Sequence, residues 1–480
     1  MSTMKRYLIL LSLMIISYSC KNTRQNKEIS EVKKTNIQHK PNIIVIVVDD
    51  AGYVDFGFMG SEDLQTPEID KLAKSGVVFT DAHVSATVCA PSRSGLLTGQ
   101  YQQRFGFEAN GTGYGNSGDI GLADDVLTMG TIFQQNGYKT IAIGKWHLGA
   151  TASDHPNNRG FDEFYGFIGG GRSYFPIDNP SKHLMLQENG SKVNFKGYLT
   201  DAFGDHSVKF VEQNKDQPFL MYLAYNAVHT PMEAKEEDLE KFKNHPRQTL
   251  AAMTWSLDKN VGKLRDKLNE LGILDNTLIY FISDNGGAHN NSSNMGPLKG
   301  WKGNKFEGGH RVPFVVSWTG KIPKNQTFNG LTSSLDIFST SIDAAKIKNT
   351  DNLTLDGVSL IPFLNNKKQG NPHDKLFWRK LDEAGARIEN HKLIRLNDFG
   401  YTMYNLKADL GETQDLSKTK TETFNTLVKE LEQWETNMIE PLWLEEPKWM
   451  DVTYNIHKEL MQNKKVTKKS QKKSELSGVH

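Results

Sequence analysis

The chain has 480 residues but only two cysteines, Cys20 and Cys89, and almost no net charge. Its 57 basic and 56 acidic residues give a formal net charge of +1, which excludes a general attraction to nucleic acid or anionic membranes. An anionic substrate would therefore need local positive charge. Long apolar runs are also lacking near the N-terminus, where the run at residues 7–16 is too short to span a bilayer.

The first 40 residues have the pattern of an export signal and a spacer. Lys5 and Arg6 precede the apolar run, and small residues then lead to Cys20, as in a bacterial lipoprotein signal. We therefore predict a signal peptide at 1–20, a polar tether at 21–40, and export to the periplasm or cell surface with a lipid anchor at Cys20. An ordinary cleaved signal is the alternative. A lipidated Cys20 leaves no partner with which Cys89 could form an intramolecular disulfide.

Four apolar runs predict strands that are buried on both faces of a sheet. They lie at residues 42–48, 140–143, 219–225 and 278–282. The polar residues that follow these runs are Asp49 and Asp50, Lys145 and His147, His229, and Asp284 and Asn285. Open α/β sheets bind ligands at the carboxyl ends of their strands, so we expect these side chains to converge on one site. Taken singly, each could merely mark the end of a strand.

Helical patterns alternate with these strands and predict an α/β fold. The clearest is an apolar stripe formed by Leu257, Val261, Leu264, Leu268 and Leu271. Strands that alternate with helices favour a large, mostly parallel central sheet flanked by helices, which we assign to a catalytic domain at 41–364.

A second, smaller α+β domain is predicted at 372–455, after an Asn-, Lys- and Gly-rich linker. Its predicted elements are strands at 376–379, 392–396 and 401–406 and a helix at 421–438 with Phe424, Leu427, Leu431 and Trp434 on one side. The lysine-rich stretch at 462–480 is predicted to be a disordered basic tail.

The segment Cys89-Ala90-Pro91-Ser92-Arg93 is the strongest motif in the chain. Pro91 suits the first turn of a helix, so Cys89 is expected at a helix N-terminus, where anions bind well. A lone cysteine is more often a buried structural thiol. The segment, however, resembles the signature of type I sulfatases, in the alkaline-phosphatase-like superfamily, where it continues to a Thr-Gly pair that Thr98 and Gly99 match.

This resemblance implies a post-translational modification and a mechanism. In that family a maturation enzyme converts the cysteine to formylglycine, and the hydrate of this aldehyde supplies the nucleophilic oxygen. Arg93 would then help to bind the sulfate. The implied activity is that of a sulfuric ester hydrolase, and the modification makes Cys89 both the nucleophile and a metal ligand.

The resemblance also implies one metal ion. Asp49, Asp50, Asp284 and Asn285 offer oxygen ligands, which suit a hard cation such as calcium or magnesium better than zinc. They fall in segments that look like the two metal motifs of the family, Asp-Asp-Ala-Gly and Asp-Asn-Gly-Gly. By that similarity the ion is Ca²⁺.

Further catalytic roles follow from a second family signature, which runs through Gly144-Lys145-Trp146-His147. By resemblance, Lys145 contacts the nucleophile or the sulfate, and His147 takes the proton that allows the sulfated hydrate to collapse. His229 matches the acid that protonates the leaving alcohol, and Lys302 matches a second sulfate-binding lysine. Without the resemblance each histidine is more often structural.

The substrate is expected to be a sulfated oligosaccharide or polysaccharide, because the chain looks most like bacterial sulfatases that act on such glycans, including those of marine algae. Arg172, His310 and Arg311 are candidate sugar contacts, although Arg172 could equally be a surface residue of its loop and Arg311 a structural partner. Two other functions stay open: a phosphatase or phosphonate monoester hydrolase of the same superfamily, and a glycan-binding lipoprotein without catalysis.

Overall fold

The computed structural model of the chain describes residues 40–111, 121–348, 350, 353–445 and 447–466, with the backbone alone described at 447–449. The signal peptide, most of the tether, Cys20 and residues 467–480 of the basic tail lie outside the described residues. Among the residues that are described, no helix is both long enough and apolar enough to cross a membrane.

Sixteen strands form three sheets in the described part of the chain. They are β1 (Asn42–Val48), β2 (Val77–Phe79), β3 (Ala82–His83), β4 (Lys139–Lys145), β5 (Glu163–Phe167), β6 (Gln187–Glu188), β7 (Ser191–Lys192), β8 (Phe219–Ala224), β9 (Thr277–Ser283), β10 (Phe314–Ser317), β11 (Gln326–Phe328), β12 (Thr332–Ser333), β13 (Lys375–Lys380), β14 (Glu383–Ile388), β15 (His391–Leu396) and β16 (Gly400–Asn405).

Eleven α-helices accompany them among the described residues. They are α1 (Pro67–Lys74), α2 (Cys89–Thr98), α3 (Met129–Gln135), α4 (Leu199–Asn214), α5 (Glu236–Lys241), α6 (Gln248–Glu270), α7 (Glu307–His310), α8 (Asp336–Ala345), α9 (Ile361–Leu364), α10 (Thr421–Glu435) and α11 (Pro447–Met461). The short 3₁₀ helices are Gly57–Met59, Gln102–Phe105, Pro156–Asn158, Leu274–Asn276 and His289–Asn291.

The central sheet has ten strands in the order β11-β2-β10-β9-β1-β8-β4-β5-β6-β7. Its five middle strands, β9, β1, β8, β4 and β5, are parallel to one another, whereas β10, β6 and β7 pair antiparallel with the strands beside them. Every residue of β1, β8 and β9 is buried, because apolar clusters cover both faces of the sheet. The predicted α/β fold is thus confirmed, with a sheet that is parallel in the middle and mixed at its edges.

Parallel pairing brings the carboxyl ends of the middle strands to one edge. The register pairs Val48 of β1 with Ser283 of β9 and Val47 with Ala224 of β8. The chain therefore leaves β1, β8 and β9 at nearly the same level, and β4 ends beside β8. All four predicted strands are confirmed, and the polar residues that follow them emerge together.

The C-terminal sheet is antiparallel, with the order β13-β14-β15-β16. Helix α10 packs on it through Leu427, Leu431 and Trp434, as the periodicity predicted, and these residues share a cluster with Tyr101 and Leu335 of the preceding part. A second shared cluster joins Phe306 to the same sheet. From Pro41 onward the chain forms one compact unit, so the two parts share their cores.

The structure departs from the predicted C-terminal part at three places. Strand β14 and helix α11 were not predicted, although Val452, Ile456 and Leu460 of α11 recur at helical spacing and are buried. The predicted disorder from residue 462 onward is wrong for the first residues of the tail. Asn463 accepts a hydrogen bond from Lys299 at 2.5 Å, and Val466 is buried.

Candidate active site

Four oxygen-bearing side chains meet at the carboxyl edge of the central sheet. Asp49 and Asp50 follow β1, and Asp284 and Asn285 follow the adjacent strand β9. All four are buried, and the backbone N–H of Asp50 donates to Asp284 Oδ1 at 3.3 Å. The predicted convergence of these residues is confirmed by their placement.

Cys89 is the first residue of α2 and lies beside these carboxylates. Its Sγ is 3.5 Å from Asp49 Oδ1 and 4.0 Å from Asp50 Oδ1, and Lys302 Nζ lies 3.1 Å away. Burial, helped by the charge of Asp49, raises the pKa of the Cys89 thiol to about 12. The unmodified sulfur is therefore a neutral thiol at neutral pH and a poor nucleophile.

Three cations balance the three carboxylates. Lys145 Nζ contacts Asp49 Oδ2 at 2.6 Å, Arg93 donates to Asp284 Oδ2 at 2.8 Å, and Lys302 Nζ lies 2.7 Å from Asp50 Oδ1. Burial alone would raise the pKa of Asp49 and of Asp50, but the neighbouring cations lower both below the usual range. Both carboxylates are therefore ionised at neutral pH.

The site opens to solvent beside Lys302 and His229. Their side chains are 18% and 13% exposed, whereas those of Asp49, Arg93 and Lys145 are fully buried. A substrate therefore reaches Lys302 and His229 first and the buried charges last.

The two predicted catalytic histidines differ in their surroundings. His147 follows β4 with a backbone φ of +62°, and burial, followed by the charges of Lys145 and Arg93, holds its pKa well below the ordinary value. His229 Nε2 lies 3.7 Å from Asp50 Oδ2, and its Nδ1 is 2.6 Å from the carbonyl oxygen of Thr230. Burial lowers the pKa of His229, although the charges of Asp49 and Asp50 oppose this shift.

The donor set fits a hard cation. Ligand atoms of Asp49, Asp50, Cys89 and His229 lie within 4.8 Å of one another. Asn285 Nδ2 donates to Asp50 Oδ1 at 2.7 Å, and the buried Asn285 Oδ1 has no hydrogen-bond partner among the residues that the structure describes. A buried oxygen without a hydrogen-bond partner is costly, and an amide oxygen is a ligand that a hard cation accepts.

The structure does not bring the candidate sugar contacts into the site. Arg172 is buried, and its guanidinium donates to the carbonyls of Ser173 and Leu184. Burial lowers its pKa to about 10. Arg172 thus holds its own loop together, because its donors are used by backbone groups.

His310 and Arg311 are likewise committed elsewhere, which corrects their predicted role. Lys392 Nζ lies 2.7 Å from His310 Nε2, and the His310 ring stacks on Trp378 at 4.0 Å between centroids. Arg311 donates to the carbonyl of Thr80 and pairs with Glu307 at 3.2 Å. Both residues belong to an ionic cluster that links Asp81, beside β3, to the C-terminal sheet.

Several residues that support the site had no recognisable sequence signal. Asn291 Nδ2 donates to the carbonyls of Asp50 and Val228 and so joins the loops after β1 and β8. Asn110 Oδ1 accepts a hydrogen bond from the Ala90 N–H in the first turn of α2. Each lies in a polar loop whose composition does not distinguish it from its neighbours.

Comparison with known proteins places these features among sulfatases. A family model described as Sulfatase matches residues 41–347, and one described as N-sulphoglucosamine sulphohydrolase, C-terminal, matches residues 300–465. The Escherichia coli (strain K12) uncharacterized sulfatase YdeN is 35% identical over 416 residues, which cover 75% of this chain and 72% of that protein. Arylsulfatase G of Rattus norvegicus is 32% identical over 457 residues, covering 81% and 85%.

A solved structure is similar over most of its length. The crystal structure of Ps i-CgsB superposes with a TM-score of 0.81 at 38% sequence identity and covers 87% of this chain and 98% of its own. The same protein has been solved in complex with k-i-k-neocarrahexaose, with a TM-score of 0.80.

Proposed function

The chain belongs to the sulfatase family and is a sulfuric ester hydrolase, and we propose that it acts on sulfated carbohydrates through a formylglycine made from Cys89. One observation carries the proposal: the Cys89 sulfur lies 3.1 Å from Lys302 and 3.5 Å from Asp49 at the start of α2. A reactive group at that position faces both a cation and the metal-type ligands.

The proposed modification solves a problem that the burial of Cys89 creates. A thiol with a pKa of about 12 supplies almost no thiolate near neutral pH. The hydrate of formylglycine would offer an oxygen nucleophile and would expel sulfate afterwards by re-forming its carbonyl. A serine at this position would instead remain sulfated, because its ester has no equivalent way to break.

A calcium ion is proposed as the cofactor, held by Asp49, Asp50, Asp284, Asn285 and the modified Cys89. When bound, it would polarise the sulfate and orient the nucleophile. The buried, unpartnered Asn285 Oδ1 supports this assignment.

The cations of the chain bind and orient the sulfate group. Arg93 and Lys145 are held in place by Asp284 and Asp49, so they present fixed positive charge without having to reorganise during the reaction. Lys302 lies nearer to solvent and beside Cys89, where it would meet the incoming sulfate. Fixed charge of this kind favours the transition state, in which negative charge develops on the leaving oxygen.

Two histidines move protons in the proposed reaction. His229 lies on the solvent side, where the carbohydrate must leave. In its protonated form, which the charges of Asp49 and Asp50 favour, it would give its Nε2 proton to the leaving alcohol oxygen. His147 is buried with a strongly lowered pKa, so it is neutral and able to accept the proton that the hydrate loses as sulfate departs. Their different exposures match these two roles.

A sulfated oligosaccharide is the proposed substrate, derived from algal or other polysaccharides. Support comes from Ps i-CgsB, which is 38% identical and has been solved with k-i-k-neocarrahexaose. Sulfate release from a panel of sulfated oligosaccharides would identify the sulfate position on which the enzyme acts.

We also propose that the protein is exported and that a second enzyme modifies Cys89. An enzyme that acts on polysaccharides must meet them outside the cytoplasm, and the N-terminal pattern with Cys20 supports a lipid anchor in the periplasm or at the cell surface. A formylglycine-generating enzyme would be the maturation partner.

The decisive experiment is mass spectrometry of the tryptic peptide that runs from Ser75 to Arg93. Protein made in its native host, or with a maturation enzyme, should contain an aldehyde at position 89 in place of the thiol. An unmodified thiol in protein with full sulfatase activity would contradict the proposed nucleophile.

Substitution of the cysteine tests the same proposal by activity. We expect Cys89→Ser to abolish the hydrolysis of 4-nitrophenyl sulfate while leaving the circular dichroism spectrum and glycan binding largely intact. The other cysteine is the control, since Cys20→Ser should retain hydrolysis. Faster turnover of 4-nitrophenyl phosphate than of the sulfate would favour a phosphatase, and undiminished turnover by Cys89→Ser would exclude the formylglycine mechanism.

A further inference from the structure

An exposed aromatic pair lies next to the proposed sulfate site and has no role in the chemistry described above. The rings of His289 and Trp301 stack with centroids 5.0 Å apart and an interplanar angle of 28°. Trp301 is half-buried against the cluster that contains Phe306, whereas His289 is exposed. The stack therefore leaves one face of the His289 ring open to solvent.

The pair is held firmly to the site from both sides. Trp301 precedes Lys302, whose backbone N–H donates to the Gly287 carbonyl at 3.1 Å and whose Nζ lies 3.1 Å from Cys89 Sγ. His289 begins the 3₁₀ helix that ends at Asn291, and Asn291 is bonded to the carbonyl of Asp50. The aromatic pair thus stands on the rim on the same side as Lys302.

The His289 side chain makes few contacts with the rest of the protein. Its only ring contact among the described residues is Trp301, and none of them hydrogen-bonds its ring nitrogens. Trp301 is fixed more tightly, because its backbone N–H donates to Asn304 Oδ1 at 3.0 Å and its ring packs inward. A rigid ring that supports an exposed one forms a pre-organised flat surface.

We infer that the His289–Trp301 stack is a binding surface for a sugar ring of the glycan. This inference rests on the proposed function and deepens it. Only the sulfated part of an oligosaccharide can enter a site whose inner charges are fully buried, so the remaining rings must lie across the rim. The apolar C–H face of a sugar ring packs well on the face of an aromatic ring.

The inferred contact is made by the face of the His289 ring, so it should depend on an aromatic ring at this position and not on a hydrogen-bonding group. We would measure binding of k-i-k-neocarrahexaose by isothermal titration calorimetry to Cys89→Ser protein, which cannot turn the sugar over. In that background His289→Ala and His289→Gln should weaken binding about five- to tenfold, whereas His289→Phe should restore it. His391→Ala, a partly exposed histidine on β15, is the matched control and should bind normally.

Kinetics with the matured enzyme give a second measurement. Loss of a contact made equally to substrate and transition state should raise the KM for the hexasaccharide more than it changes kcat. Unchanged binding by His289→Ala, restoration by Gln but not by Phe, or no binding of the hexasaccharide to the parent protein would each overturn the inference. Failure of the proposed function appears separately, as an unmodified Cys89 and no release of sulfate.

Discussion

Gly170 illustrates how one missing side chain positions a catalytic group. A Cβ atom at this residue would stand 2.6 Å from His147 Nε2 and 2.7 Å from its Cε1, well inside van der Waals contact. The backbone of residue 170 therefore lies directly against the face of the imidazole. Glycine at this position allows the ring to occupy the place where we propose that it accepts a proton.

We expect Gly170→Ala to lower kcat about 100-fold with a smaller change in KM, because the added methyl group must push the His147 ring aside. A displacement of a catalytic group by about 1 Å can lower the rate by about that factor. Hydrolysis of 4-nitrophenyl sulfate would measure it. Gly411→Ala is the matched control, since a Cβ there meets its nearest neighbour at an ordinary 3.6 Å. An unchanged kcat would show that the ring position is not critical.

At the scale of elements, a buried chain of hydrogen bonds joins the C-terminal sheet to β3 of the two-stranded sheet. Lys392 of β15 lies 2.7 Å from His310 Nε2, His310 Nδ1 lies 2.9 Å from His83 Nδ1, and His83 Nε2 lies 2.9 Å from Asp81. If His310 donates to His83 and His83 to Asp81, every group in the chain is satisfied with both histidines neutral. Lys392 also pairs with Glu307 at 2.9 Å.

Removal of one charge from this cluster should be costly. We expect Lys392→Met to lower the free energy of unfolding by about 3 kcal/mol, because Glu307 would lose its closest buried cation. Lys375→Met is the control on the same sheet: its pair with Glu430 is partly exposed and should contribute less than about 1 kcal/mol. Urea unfolding measures both, and equal effects would contradict a structural role for the cluster.

Helix α11 is attached through a histidine that must remain neutral. His457 Nε2 accepts a hydrogen bond from the Lys305 N–H at 3.0 Å. Burial lowers the pKa of His457 to about 4, and the positive charge of Lys305 acts in the same direction. Since the unfolded histidine takes up a proton near pH 6.5, the unfolded state binds more protons between pH 6.5 and 4.

Stability should therefore fall as the pH falls through this window. The contribution of His457 to that loss is about 3 kcal/mol between pH 7 and pH 4. His457→Gln keeps an acceptor but cannot titrate, so its unfolding free energy should depend less on pH than that of the parent protein. Urea titrations at pH 7 and pH 4.5 measure the difference, and parallel pH profiles for the two proteins would refute the assignment.

At the scale of the whole molecule, the proposed calcium site lies at the carboxyl ends of two adjacent strands of the central sheet. Its ligands follow β1 and β9, which pair along their full length. A cation that binds only the folded chain stabilises it by mass action, by about 2.7 kcal/mol at 100 times the dissociation constant. The same ion also relieves the repulsion among three carboxylates.

We expect Ca²⁺ to raise the Tm of the chelator-treated protein by about 3–5 °C. Asp284→Asn should abolish most of this rise, whereas Asp63→Asn, which changes an acidic residue outside the metal cluster, should keep it. Differential scanning fluorimetry with Ca²⁺ or Mg²⁺ also separates the two ions. No rise with either ion would contradict a metal site at these residues.

The sequence alone predicted the buried strands of the central sheet and the family to which the chain belongs. Runs such as Ile43 to Val48 encode buried strands locally, because β-branched apolar residues suit a sheet covered on both faces. The polar residues after these runs could be assigned to one edge, because parallel strands place their carboxyl ends together. Cys89 and its neighbours identified the family and the helix start through their order alone.

Only the tertiary structure determined the contacts between residues that lie far apart in the chain. His310 and Arg311 look like free polar residues in sequence, yet Lys392 and Asp81 draw them into a buried cluster. Helix α11 packs its apolar stripe on β15 and binds Lys305 through His457, and neither partner is near it in the sequence. The stack of His289 on Trp301 likewise arises from folding, because it joins residues that neither periodicity nor a motif links. Secondary-structure propensity depends on neighbouring residues, whereas burial and side-chain pairing are determined only when distant parts of the chain come into contact.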